Sequence, residues 1–288
     1  MFKSVLFHEG AIFQNLFSNM ILDETLELIK SRYGQQLEAI SIEKLVAGIY
    51  FTAVKLSSGY CGLAYTVPDP DDTCATNRSR GFGDFTPGNF NGRKVTDLFM
   101  HSDQSCFIKT IQLAVMNALS VWLITKSAFK IIENTDPFDL LDLSAPKRVC
   151  VVGAFLSYLK KTVESGSYLQ IVELNEAAVP FEFKQFLVPA GKTEDAIAQS
   201  EIVIITGSSI ANHTLDRLLA IIPATTQVLL VGPTSSLLPD VLFKRGVNFI
   251  GSTRITDTEK MFQLIAEGAS GFHLFKSCAI KICLVNES

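Results

Sequence analysis

The sequence predicts an α/β protein in which an N-terminal α+β domain, residues 1–145, precedes a Rossmann-like domain, residues 146–288, built on a doubly wound parallel sheet. Three observations predict this. Strand-like runs alternate with helical patterns in the second part: "RVCVVG" (148–153), "LQIVEL" (169–174), "EIVIIT" (201–206), "QVLLVG" (227–232) and "VNFIG" (247–251). Most of these runs are continuously apolar, as strands buried on both faces by helices must be. The part before residue 146 lacks that rhythm and reads as helix, hairpin, long loop and helix. The boundary falls near Ser144 to Lys147, where Pro146 precedes the first parallel strand.

The N-terminal elements follow in order. "LDETLELIKSRYG" places Leu22, Leu26, Leu28 and Ile29 at helical spacing and stops at Gly34. "EKLVAGIYFTAVKL" and "YCGLAYTV" are two β-forming runs joined by Ser57, Ser58 and Gly59, which is the signature of a hairpin. Residues 68–93, "PDPDDTCATNRSRGFGDFTPGNFNGR" after Val67, have no period and read as a long loop, which at this length is a lid, a binding loop or a disordered segment. Helical spacing returns from Asp103 to Lys126, in a largely buried helix containing Asn117.

Composition removes several function classes. With 48% hydrophobic and 19% charged residues, 288 residues can bury one large core or two ordinary ones. The formal net charge is -4 and the basic residues are scattered, so neither nucleic acid nor a membrane is an expected partner. The opening "MFKSVLFHEG" holds an apolar run too short for a secretory segment. The greasiest stretch, "TIQLAVMNALSVWLIT", is broken by Gln112, Asn117 and Ser120 and falls below spanning length, so the expected location is cytoplasmic. Cys61, Cys74, Cys106, Cys150, Cys278 and Cys283 form no CxxC pair and read as reduced core residues.

In an open parallel sheet, ligands bind beyond the carboxyl ends of the strands, so the residues just after each strand are the candidates. Gly153 follows the first strand, but the other two glycines of a dinucleotide fingerprint are absent, and conventional NAD is disfavoured. Glu173 closes the second strand about 20 residues later, the offset at which a carboxylate takes a ribose hydroxyl. The stretch "IVIITGSSIANHT" runs from a buried strand through Thr206 and Gly207 into Ser208 and Ser209, good N-cap residues of a helix whose apolar side carries Ile210, Ala211, Leu215, Leu218 and Leu219. Free first-turn N–H groups there suit a carboxylate or phosphate. The helix dipole contributes only about 0.3–1 kcal/mol. Most affinity would come from charge-assisted hydrogen bonds of about 1.5–3 kcal/mol each. "VLLVGPTSSLLPDVLF" repeats the device with Gly232, Pro233, Thr234 and Ser235, and two adjacent copies point to a polar pocket. His213, one turn into the helix, should be neutral so near a helix N-terminus, and with Glu173 it is a candidate metal ligand or base. No catalytic motif is legible.

Taken together, "GYCGLAYT" (59–66), "AVMNALS" (114–120), "VCVVGAF" (149–155), "VELNEAAVP" (172–180), "VIITGSSIANHTLDRLL" (203–219), "VLLVGPTSSLLPDVLFKRGVNFIGSTRITD" (228–257) and the glycine segment at Gly268 to Gly271 resemble the "Putative heavy-metal chelation" family, long catalogued as a domain of unknown function. The resemblance implies an enolase-N-terminal-like domain joined to the Rossmann-like one. It also implies an interdomain cleft lined by Asn117, Gly153, Glu173, Thr206, Gly207, Ser208, Asn212, Gly232, Pro233 and Thr234. Residues 68–93 have no counterpart in it.

The expected function is therefore binding of a small anionic ligand or metal chelate in that cleft. Ser208, Ser209, Thr234 and backbone amides would hold its anionic group, and Asn117 would reach across from the first domain. The competing expectation is a small-molecule transferase or lyase with a nucleoside- or pterin-like ligand against Glu173. A structural or interaction module would instead have its hydroxyls satisfied locally. The cofactor, beyond a metal ion or chelate, and the oligomeric state, with a homodimer open, are not fixed by the sequence.

Overall fold

The structure is a computed structural model that describes residues 20–68, 85–101 and 105–287. Most of the predicted 68–93 loop, including Cys74, lies outside the described residues. Its described end is anchored by Phe85 and Phe90, both buried, with ring centroids 5.9 Å apart.

The N-terminal part begins with α1 (Met20–Tyr33), which stops at Gly34 in the left-handed region, φ +54°. Three antiparallel strands follow in the order β1 (Ile42–Ala47), β2 (Phe51–Leu56) and β3 (Cys61–Tyr65). The expected hairpin is β2–β3, turning at Gly59, φ +85°. The first run, predicted as one strand, is two, because the chain turns at Gly48. Gly48 presses on the backbone oxygen of Ile265 where no side chain fits, and the close packing that forces the turn is invisible in the local sequence.

After α2 (Val95–Met100) comes α3 (Cys106–Thr125), capped by the Ser105 hydroxyl, which accepts the Ile108 N–H. At 20 residues, α3 is long and apolar enough by length and composition to cross a membrane, a correction to the expected shortfall. Here most of it is buried, lying directly on β2 and β3. Gly62 makes that approach possible, since a Cβ there would run into the Ala114 oxygen and the Ala118 nitrogen.

The larger sheet has seven strands: β4 (Lys130–Glu133), β5 (Arg148–Val152), β6 (Tyr168–Val172), β7 (Ile202–Thr206), β8 (Gln227–Val231), β9 (Phe249–Ile255) and β10 (Ala279–Val285). Their order is β4-β10-β9-β8-β7-β5-β6. β6, β5, β7, β8 and β9 run parallel, and β10 and β4 extend the sheet antiparallel. The order reverses at β5, whose neighbours are the strands that follow it first and second. Alternate residues of the apolar runs enter two different cores. Cys150, Val203, Ile205, Val228 and Leu230 go to one, and Val149, Val151, Ile202, Ile204 and Leu229 to the other. Both faces are thus covered, as the unbroken apolar runs predict.

Connecting helices are α4 (Leu156–Glu164), α5 (Thr193–Ala198), α6 (Ser208–Ala211), α7 (Leu215–Ile221), α8 (Asp240–Lys244), α9 (Thr258–Ala266) and α10 (Gly271–Ser277). β4 precedes residue 146 yet pairs with β10, and α9 and α10 cover the face of the small sheet opposite α3. The first core runs continuously from Ile21 to Leu284, across both parts of the chain.

Gly62→Ala should cost at least about 3 kcal/mol, at the severe end of core overpacking. Gly191→Ala, in open space, should be near neutral. Urea unfolding of the two variants separates them.

Candidate ligand-binding site

At the carboxyl edge of the parallel sheet, three strands run into glycine. The N–H groups of Gly153, Gly207 and Gly232 donate to Val172 O (2.9 Å), Val231 O (2.7 Å) and Gly251 O (3.0 Å), carrying the ladder one residue beyond each strand. Gly153 and Gly232 have φ +111° and +131°, a region that side chains strain to enter. A Cβ on Gly153 would lie 3.0 Å from the Thr206 Cβ, and one on Gly207 3.1 Å from the Ser235 nitrogen. The glycines therefore let neighbouring turns pack on one another.

The hydroxyls that the sequence assigns to an anion largely serve the same turns. Ser209 Oγ donates to Thr206 O (2.7 Å), and Ser235 Oγ shares its one hydrogen between Gly232 O (2.6 Å) and Gly251 O (2.8 Å). The bonds to Thr206 O and Gly232 O are local side-chain to backbone bonds of the kind that compete with helix. Gly207, not a serine, occupies the N-cap position, and Ser208 and Ser209 lie inside the first turn. The expected continuous helix is broken. α6 is a single turn, the chain passes through His213 at φ +60°, and α7 starts afresh at Leu215. Asn212 stabilises the break by accepting the Thr214 N–H (3.2 Å) and hydroxyl (2.7 Å). A one-turn helix has little dipole to offer an anion. What the edge presents to the outside is the Thr206 and Ser208 pair, half-buried, with hydroxyl oxygens 2.9 Å apart.

The second copy of the device is enclosed. Thr234 is 2% exposed, and its hydroxyl accepts the Tyr65 N–H (2.9 Å) from the free edge of β3. Asn117, fully buried on α3, donates through Nδ2 to Leu63 O (2.6 Å) and Thr234 O (3.0 Å). Both partners are carbonyls and can only accept, so the amide orientation is fixed by chemistry. Its other end, Oδ1, is buried with no hydrogen-bond partner. One turn along α3, Ser120 Oγ accepts the Leu238 N–H (2.9 Å) and donates to Met116 O (2.7 Å). Asn117 thus sits where α3, β3, α6 and the 3-10 turn Pro233–Ser235 converge.

The structure therefore brings Asn117, Gly153, Thr206, Gly207, Ser208, Gly232, Thr234 and Ser235 to one edge. Pro233 faces the start of α10, where a Cβ on Gly271 would lie 3.9 Å away. Glu173, half-buried at the end of β6, accepts the Asn175 N–H (2.9 Å) in a local turn. Among the described residues, neither Glu173 nor His213 belongs to a group of three or more histidine, cysteine, aspartate or glutamate side chains. Residues missed by the sequence reading are Leu63 and Tyr65, which act through backbone atoms, and Ser120. Ser120 had a signal, its place three residues after Asn117 on one face of the helix. A depression of about 680 Å³ lined by Lys147, Arg148, Glu201, Thr226 and Gln227 lies at the opposite, amino ends of the strands, and its polar groups bond to one another.

Comparison with known proteins agrees with this architecture. Residues 136–284 match one family model and residues 30–120 a second, both described as "Putative heavy-metal chelation". An uncharacterized protein of Methanocaldococcus jannaschii is 26% identical over 215 residues, covering 70% of this chain and 75% of that one. The crystal structure of a protein of unknown function from the first of these families, from Pyrococcus horikoshii, aligns with TM-score 0.73 at 19% identity, over 92% of this chain and all of that one. A second such protein, from Desulfitobacterium hafniense DCB-2, aligns with TM-score 0.64 at 21% identity, over 89% and 98% of the chains. At these identities the two structures speak for the fold alone.

His213 is exposed at the surface, and partial desolvation of its ring, and then the Lys109 ammonium, push its pKa below the ordinary imidazole value. Both causes act in the direction that the sequence assigned to the helix dipole. An NMR titration should place the His213 midpoint below about 6.5. Lys109→Met should move it upward. Because the folded pKa is depressed, its contribution to stability is present above the unfolded value and fades as pH falls through that value toward the folded one.

Proposed function

The chain belongs to the family described as "Putative heavy-metal chelation", and from that premise we propose that it binds a small anionic ligand or metal chelate at the carboxyl edge of the larger sheet. The reading takes residues 1–145 as an enolase-N-terminal-like unit and 146–288 as a Rossmann-like one, with the ligand at their junction. The observation that carries it is the unpaired Asn117 Oδ1 at the convergence of four elements. An acceptor left without a donor in a protein interior costs about 1–3 kcal/mol, which a ligand N–H or O–H would recover.

Asn117 has no exposed surface, so the ligand reaches Oδ1 when β3 parts from Thr234. That opening breaks the Tyr65 N–H to Thr234 hydroxyl bond and one of the two Asn117 Nδ2 bonds, to Leu63 O or Thr234 O, each worth about 0.5–1.5 kcal/mol, which together are comparable to what pairing Oδ1 returns. Opening is thus affordable only with the ligand present. Thr206 and Ser208, which now bond each other, would turn to the anionic group. Glu173, at the end of β6 and two strands from β7, keeps the second reading in view, a transferase or lyase with a nucleoside- or pterin-like ligand.

Thr206→Val with Ser208→Ala should weaken binding of the small molecule found by native mass spectrometry by tenfold or more, about 1.4 kcal/mol, with little change in unfolding. If every ligand so found binds that double variant unchanged, the edge is not the site. Asn117→Ala should abolish binding and also lower stability by about 2–4 kcal/mol, because it strips the Leu63 and Thr234 carbonyls of their donor.

A further inference from the structure

The family description implies a heavy metal, and the side chains present can be tested against that cargo. An ion held by protein alone needs three or four ligands converging on one point at about 2.0–2.3 Å, thiolate sulfur above all for soft metals. The described cysteines do not converge: none of Cys61, Cys106, Cys150, Cys278 and Cys283 belongs to a group of three potential ligands among the described residues. Cys150 in β5 and Cys283 in β10 are fully buried, and burial pushes both thiols up to about 12. Burial also raises Cys61, whose sulfur lies 3.7 Å from the Thr258 hydroxyl, and Cys278.

The other potential ligands are dispersed and engaged. His273 Nδ1 accepts the Ser270 N–H (3.2 Å), which ties up that nitrogen. The His101 ring stands edge-on to Phe85 at 5.2 Å. Asp136 lies between Lys281 (3.1 Å) and Lys161 (3.3 Å), and Asp216 accepts the Ile21 N–H (3.1 Å). No group of three such side chains exists among the described residues. The candidate edge offers hydroxyls, turn amides and one carboxamide oxygen, which match the polar atoms of an organic molecule and are weak ligands for a soft ion.

We infer that the species this chain recognises is an organic chelator, loaded or empty, and that the metal's ligands come from that molecule and not from the described residues of the protein. The inference rests on the edge-site reading and narrows its ligand class.

The test uses the full chain. One portion is stripped with EDTA, desalted and titrated calorimetrically with Zn²⁺, Ni²⁺, Co²⁺ and Cu²⁺, each as the bare ion. Another, as purified from cell extract, is examined by native mass spectrometry and elemental analysis. The expected result is no stoichiometric bare-ion site tighter than about 10 μM, and an organic small molecule in the purified protein that accompanies any metal. One bare ion bound tightly per chain, or a purified protein yielding no organic molecule, overturns the inference. The Thr206→Val, Ser208→Ala variant separates the two readings. If it retains the organic molecule while bare ions still fail to bind, the edge site is wrong and the chelator inference stands. If bare ions bind and the double substitution abolishes them, the edge stands and the chelator inference falls.

Discussion

The architecture depends on one buried polar seam. Asn117 and Ser120, a turn apart on α3, bind Leu63 O, Thr234 O and Leu238 N, joining the long helix to the free edge of β3 and to the turn after β8. Thr234 completes the seam by accepting the Tyr65 N–H. Apolar packing supplies most of the cohesion between the two sheets, but it is non-directional. The seam fixes their register, since each of its buried backbone groups would otherwise be left unpaired at about 1–3 kcal/mol. It also closes the β3 edge, which would otherwise offer unpaired backbone groups to other chains.

Close approach at the seam explains the glycines. Gly62 lets α3 lie on β3, and Gly207 lets the turn after β7 meet the turn after β8. A dinucleotide fold uses such glycines to admit a pyrophosphate. In this chain they admit protein backbone, and the serines beside them fasten the turns they open. What is left for a ligand is small: the half-buried Thr206 and Ser208 pair and the unsatisfied oxygen of Asn117. These are hydrogen-bonding groups, which suit the polar atoms of an organic molecule better than a bare soft ion.

How much of this was legible varies with the kind of signal. The runs at 148–153, 169–174, 201–206 and 227–232 coincide within two residues with β5 to β8, because four or five consecutive apolar residues bounded by glycine or charge have few other ways to be buried. β4 and β10 were missed. β4 has only Ile131 and Ile132 between Lys130 and Glu133, and its place comes from pairing with β10. The helix after β7 was read as continuous because its apolar spacing survives the break at His213, whose left-handed backbone that periodicity does not register.

The sequence by itself determined the strand-rich second half, the turns that need glycine, the buried helix and the gathering of hydroxyls at the strand ends. Only the tertiary structure decided that most of those hydroxyls are already engaged and that Asn117 holds two parts of the chain together with one oxygen unpaired. The reason is physical. Burial is written in side chains, one residue at a time, whereas the partners of Asn117, Ser120 and Thr234 are backbone atoms of Leu63, Leu238 and Tyr65, and a backbone N–H or C=O looks the same at every position until the fold brings one within reach.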